Sequence, residues 1–390
     1  MTNESRKILS GLAAGQPPSV RCAPDLIVGF EGLLEDWQRD LDSYIAGGGS
    51  LLRILWAPSG RGKTHLARTL QAEAARRNYL VCQIDAAADH TDDDLSLYRA
   101  FCAGLRHPGD FAMDREDSGL KQVLGRVASE TFDRAGATEP EVRKRIRSCG
   151  DVPVPALADF LPPLISAIDL GEGSRLSADA QDDISVGIQL ISGEQVDGTR
   201  ALGRLRVTYQ GPLLRKLRKT PGKRDARLWL ETMLRVLPSL GFSGVVWILD
   251  EHDESSPVLL DRHIVQLRRF ADRLAEGRVP RVFAMYLVLD DFPERIRRAH
   301  TAMDQRLRPV LRTSVPRRIL ASLEQVRGVE PSAFCGQLGH KLYALVRTGV
   351  MPADLLAFCR TEATKSTYLG GTDVRRYVQA VAARLQDEYL

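Results

Sequence analysis

No stretch of this chain approaches the roughly 20 consecutive apolar residues that a bilayer crossing needs, so no membrane role is expected. Met1–Val20 has no apolar core behind a charged start, and a signal peptide is not evident. Cysteine is sparse: six in 390 residues, at positions 22, 82, 102, 149, 335 and 359, with no Cys-x-x-Cys pair. That scatter argues against a disulfide frame and fits free thiols in a reducing cytoplasm. Cys335 and His340 lie close in sequence but lack the second pair that a tetrahedral zinc site requires. A serine or cysteine hydrolase signature, an internal repeat and a low-complexity tract are all missing. The net charge of +4 is too small to identify a partner.

What is present is concentrated at residues 57–64, Ala-Pro-Ser-Gly-Arg-Gly-Lys-Thr. Leu51, Leu52, Ile54, Leu55 and Trp56 form an apolar run before it, and a helical pattern runs from His65 to Arg77 after it. A Gly-rich loop between a strand and a helix is the context a P-loop demands. Ala57 stands where the first glycine usually sits. The loop Ala57, Pro58, Ser59, Gly60, Arg61, Gly62, Lys63, Thr64, with His65 following, is therefore expected to hold ATP. Backbone N–H groups from Gly60 to Thr64 would point at phosphate oxygens, at the positive end of the helix. Lys63 would place its charge on the β- and γ-phosphates, and Thr64 would offer its hydroxyl to Mg²⁺.

A second motif lies at Gly244-Val-Val-Trp-Ile-Leu-Asp250-Glu251. Five apolar residues ending in two acids predict a buried parallel strand with carboxylates at its C-terminal edge. Asp250 would hold Mg²⁺, and Glu251 would orient the attacking water. Binding alone needs the first acid but not the second, so the pair favours hydrolysis. The bland alternative is a strand that ends in a solvated acidic turn.

From Arg204 to Arg227, nine Lys or Arg accompany a single acid, Asp225. Such a stretch suits nucleic-acid phosphates. It equally suits a solvated helix face or a contact with an acidic neighbouring subunit. Tyr209 is its one aromatic residue, so base stacking has little support.

The pattern predicts a short lead helix from Glu4 to Gln16, then a helix from Leu33 to Ala46 with Leu34, Trp37, Leu41 and Tyr44 on one face. A strand from Tyr79 to Ile84 and a helix from Asp94 to Leu105 follow. Beyond the acidic strand come a helix over 257–276, a strand over 282–289 and a helix over 293–303, with helix throughout 316–390. A minimal P-loop core keeps its acidic strand much nearer the P-loop than residue 250 is to residue 64. The expected organisation is an N-terminal helical lead (1–24), a P-loop core (25–110 and 241–315), a mostly helical insertion (111–240) containing the basic stretch 204–227, and a C-terminal helical region (316–390).

This order of elements resembles the AAA+ ATPases, which implies an α/β fold with a parallel sheet flanked by helices and a C-terminal helical lid. The resemblance implies that Asp290 senses the γ-phosphate, although Asn or Thr is commoner there. It implies that Arg306, or second Arg308, reaches a neighbouring subunit's nucleotide. It makes Arg375, in Gly371-Thr-Asp-Val-Arg375-Arg376, the lid arginine that contacts nucleotide in its own subunit.

Further segments narrow the resemblance: Ile8-Leu-x-Gly-Leu-x-x-Gly-x-Pro-Pro18, Ile27-Val-Gly-Phe-Glu31, Gly62-Lys-Thr-His-Leu66, Leu97-Tyr-Arg-x-Phe-x-x-Gly-Leu-Arg106 and Gly241-Phe-Ser-Gly-Val-Val. Together they resemble the ATP-binding protein of BREX-type phage-exclusion operons (BrxD-like), related to the origin-recognition branch of AAA+. Ala57, Arg61 and His252 depart from the pattern. The resemblance implies a cytoplasmic antiviral ATPase that forms homo-oligomers and works beside a helicase-like partner, on or near DNA. Two other readings stay open: an ATP-gated scaffold with slow hydrolysis, and a DNA-binding loader, which would need a C-terminal winged helix.

Overall fold

The computed structural model describes residues 3–85, 89, 91, 93–112, 118–134, 136–173, 178–194, 221–250, 257–307, 319–327, 329–368 and 371–389. Glu251, Arg308 and residues 204–220 of the basic stretch lie outside the described residues.

Six strands form one sheet: β1 (Ser50–Trp56), β2 (Leu80–Asp85), β3 (Leu105–Arg106), β4 (Val245–Asp250), β5 (Val282–Val288) and β6 (Leu320–Ser322), in the order β3-β2-β4-β5-β1-β6. β2 and β4 run parallel, registered from Leu80 opposite Val245 to Asp85 opposite Asp250. β1 and β6 are also parallel, with Ile54 opposite Leu320 and Trp56 opposite Ser322. The edge strand β3 is antiparallel to β2, a departure from the expected all-parallel sheet. Val245 to Ile248 and every residue of β5 are buried, as near-continuous apolar runs require when a strand is covered on both faces. β5 stops at Val288, so Asp290 occupies an exposed turn beyond the strand rather than its end.

The chain divides into two compact units, and β1 and β5 contribute residues to each. The first comprises residues 1–42, 53–73 and 285–390. It contains α1 (Asn3–Ala13), α2 (Glu31–Arg39), most of α3 (Lys63–Arg76) and the C-terminal helices Pro331–Ala344, Ala353–Ser366 and Val374–Tyr389. Leu9 and Leu12 of α1 share a core with Leu338, Leu342, Tyr377, Val381 and Leu385. Each fully buried leucine in such a core contributes about 1.5–3 kcal/mol. The second unit comprises residues 43–52 and 74–284. It packs α4 (Asp94–Gly104) and the helix Ala226–Ser239 around aromatic contacts such as Tyr98 with Trp229 and Phe101 with Trp247. These units cut the chain differently from the expected core and insertion. The helices of 94–239 share a unit with β2 and β4, while the lead and the C-terminal helices share one with the P-loop.

Two local departures have physical causes. The predicted helix Leu33–Ala46 is α2 followed by a π-helical turn over Asp40–Ile45. Its buried face is Leu33, Trp37, Leu41 and Ile45, whereas Tyr44 is 52% exposed. Arg53 of β1, itself buried, meets Asp40 at 3.0 Å where the helix widens. The region 316–390 is not helical throughout: β6 joins the sheet, and a hairpin of β7 (Thr367–Tyr368) and β8 (Gly371–Thr372) precedes the closing helix. A short apolar run such as Ile319-Leu320-Ala321 carries too little periodicity to separate strand from helix.

Candidate functional site

The P-loop connects the end of β1 to the start of α3, within the first unit. Gly60 (φ 76) and Gly62 (φ 99) take left-handed backbone conformations that other residues adopt only with strain. Neither Ala57 nor Arg61 has a positive φ, so the chain needs no glycine at either place. Ala57 is fully buried, and its N–H donates to the Val288 carbonyl at 3.1 Å. The missing first glycine is therefore replaced by a packed methyl on sheet-bonded backbone.

Lys63 is 9% exposed. Its Nζ donates to the carbonyls of Ala57 (2.7 Å) and Pro58 (3.1 Å), which holds the ammonium inside the curl of the loop. Thr64 follows in the first turn of α3, where the helix dipole presents its positive end. This combination of amides, lysine and helix terminus has the chemistry to hold an anion.

The closing helix approaches the loop directly. The N–H of Arg375 donates to the Gly60 carbonyl at 3.0 Å, while the Arg375 side chain is exposed. Asp373 caps that helix by accepting from the Arg376 N–H at 3.0 Å, and a Cβ on Gly60 would lie 2.9 Å from its Oδ1. The structure thus brings Arg375 to the P-loop by its backbone. The sequence reading missed Asp373; an aspartate just before a helical run is the N-cap signal that marks it.

Arg61 is buried, with its Nη1 3.7 Å from Oε1 of Glu324. Arg327, also buried, lies 3.4 Å from the other Glu324 oxygen and donates from Nη2 to the Arg61 carbonyl at 3.3 Å. Its guanidinium stacks 4.2 Å from the Phe334 ring centre and 5.5 Å from that of Phe30. Burial pulls the Arg327 guanidinium below its ordinary value, and Glu324 opposes the shift. No motif marks Glu324 or Arg327, so their proximity to the P-loop was not legible in the sequence.

Beside the loop lies a mostly apolar cleft lined by Ile27, Phe30, His65, Arg327, Phe334 and Val374 among others. Burial pushes His65 below the usual imidazole value, and the neutral ring donates Nε2–H to the Ala23 carbonyl at 2.8 Å. Arg68 of α3 donates to the carbonyls of Pro17 (2.8 Å) and Pro18 (2.7 Å), which seats the lead segment against the P-loop helix.

The other predicted residues fall on other elements. Asp250 ends β4 in the second unit and is 2% exposed. Arg306 lies in the helix Thr301–Leu307. Of the basic stretch, Lys223 pairs with Asp93 at 2.8 Å and Arg227 approaches Glu231 at 4.0 Å, so two of its cations serve the fold itself. Among the described residues no group of three or more His, Cys, Asp or Glu is placed to hold a metal ion, and no helix is long and apolar enough to cross a membrane.

Neither a curated protein nor a solved structure matches the chain. A family model, BREX system ATP-binding protein BrxC/D, matches residues 1–146, the segment that holds the lead, the P-loop and β2, and over that segment the protein resembles the ATP-binding proteins of BREX phage-defence systems.

Proposed function

We propose that the protein binds ATP at residues 57–65 and hydrolyses it as part of a BREX-type phage-defence complex. The observation that carries this reading is the cradle: Lys63 held within a loop whose two glycines are left-handed, at the start of a 14-residue helix. The apolar cleft beside it would take the adenine ring. Thr64 would offer a hydroxyl, an oxygen donor of the kind that suits Mg²⁺. Bound with the nucleotide, Mg²⁺ would neutralise charge on the phosphates.

The roles of Asp250 as metal ligand and Glu251 as base rest on their sequence pattern. In that reading Glu251 accepts a proton from water as its oxygen bonds to the γ-phosphorus. The bond from that phosphorus to the β–γ bridging oxygen breaks, leaving ADP and phosphate. Catalysis is then mostly positioning and charge stabilisation. Asp290 as a γ-phosphate sensor, Arg375 as a lid contact and Arg306 as an arginine supplied to a neighbouring copy complete the proposal. Action on DNA with a helicase-like partner is supported by the family resemblance and by the basic stretch.

The direct test is titration of ATP against wild type and Lys63→Ala, followed by turnover with and without DNA at two protein concentrations. Lys63→Ala should lose ATP binding. Equal affinity in the two proteins would remove the P-loop assignment.

A further inference from the structure

Two consecutive peptides of the P-loop have their carbonyls held from outside the loop. The Gly60 carbonyl accepts the backbone N–H of Arg375, and the Arg61 carbonyl accepts the guanidinium of Arg327. A trans peptide is planar, so its C=O and the following N–H point in opposite directions. Fixing the Gly60 oxygen fixes the N–H of Arg61, and fixing the Arg61 oxygen fixes the N–H of Gly62. Both N–H groups are thereby directed away from the helix that begins at Val374 and away from Arg327.

We infer that Arg327 is a positioning residue for phosphate binding: it aims the Gly62 amide into the cradle and does not itself contact the phosphates. This deepens the ATP-binding reading and rests on it. Glu324 supports the arrangement by bridging Arg61 and Arg327, and Phe334 holds the guanidinium plane. A lysine can donate to one oxygen but lacks the planar fork that serves a carbonyl and a carboxylate together.

The test separates phosphate binding from base binding. ADP and adenosine are titrated against wild type, Arg327→Met, Arg327→Lys and Glu324→Gln, with Lys63→Ala in parallel. Arg327→Met should weaken ADP about tenfold or more, because a Gly62 amide turned from the cradle loses its charge-assisted hydrogen bond to phosphate. Adenosine affinity should fall far less than ADP affinity, although Arg327 and Phe334 also line the apolar cleft, because adenosine carries no phosphate for the Gly62 amide to meet. Arg327→Lys should recover part of the loss, and Glu324→Gln should show the same selective loss in milder form. If Arg327→Met does not fold, the other two variants decide.

Equal weakening of ADP and adenosine would make Arg327 a general structural residue and overturn the inference. ADP affinity retained in all three variants would do the same. If Lys63→Ala weakens ADP while these variants do not, the inference alone fails. If wild type binds no ADP, or Lys63→Ala binds it as wild type does, the ATP-binding reading fails and takes the inference with it.

Discussion

Gly60 shows how a single residue serves the backbone and a neighbour at once. Its φ of 76 excludes most side chains, and its missing Cβ leaves room for the Asp373 carboxylate. Gly62 is equally left-handed at φ 99, but a Cβ there would meet nothing within 4 Å. Alanine at either site incurs about 1–2 kcal/mol of backbone strain. At Gly60 it also displaces Asp373, which caps the closing helix. Gly60→Ala should therefore lower the melting temperature more than Gly62→Ala does, and equal shifts would show that the Asp373 contact carries no weight. The glycines, Lys63 and Thr64 were legible because a P-loop needs those types at fixed spacing. Arg327 was not, since an arginine more than 260 residues from the loop reaches it only through the fold.

At the scale of elements, local chemistry set the start of α4 well. Asp93 accepts from the N–H groups of Leu95 (3.0 Å) and Ser96 (2.8 Å), and the Ser96 hydroxyl accepts from the Asp93 N–H at 3.0 Å. That capping box starts α4 where the periodicity placed it. Burial pushes the Asp93 carboxyl up, but hydrogen bonds from Lys223 and Ser96 outweigh it and hold it at about 2. A lowered carboxyl stabilises the fold above the ordinary 3.8 and loses that contribution as pH falls toward about 2. Asp93→Ala should destabilise the protein at neutral pH by about 1 kcal/mol, and Asp93→Asn by less, because asparagine still caps. Urea unfolding checks this; an alanine variant as stable as wild type would show that the cap is dispensable. Where no cap or long period existed, the sequence misled. The buried face falls on Leu33, Trp37, Leu41 and Ile45, the last two within the π-helical turn at Asp40–Ile45, and three residues of β6 were too few to read as a strand.

At the scale of the molecule, the P-loop shares its unit with the helix Thr301–Leu307, which bears Arg306, and with the closing helix. Which distant segments share a unit is decided by packing between residues far apart in sequence, and no local pattern reports it. If Arg306 acts on a neighbouring copy's nucleotide, hydrolysis is tied to assembly. An arginine that stabilises charge on the transferring phosphoryl group is worth on the order of 10³-fold or more in rate. Arg306→Ala should then bind ATP as wild type does and turn it over poorly. Lys63→Ala should fail for the opposite reason, having an intact arginine and a disabled cradle. Mixing the two variants creates interfaces in which one copy supplies the arginine and the other the P-loop, so turnover should rise above that of either alone. The wild-type rate per chain should also climb with protein concentration as interfaces form. A rate independent of concentration, together with no recovery in the mixture, would mean that each chain hydrolyses ATP alone or takes its arginine from a different protein.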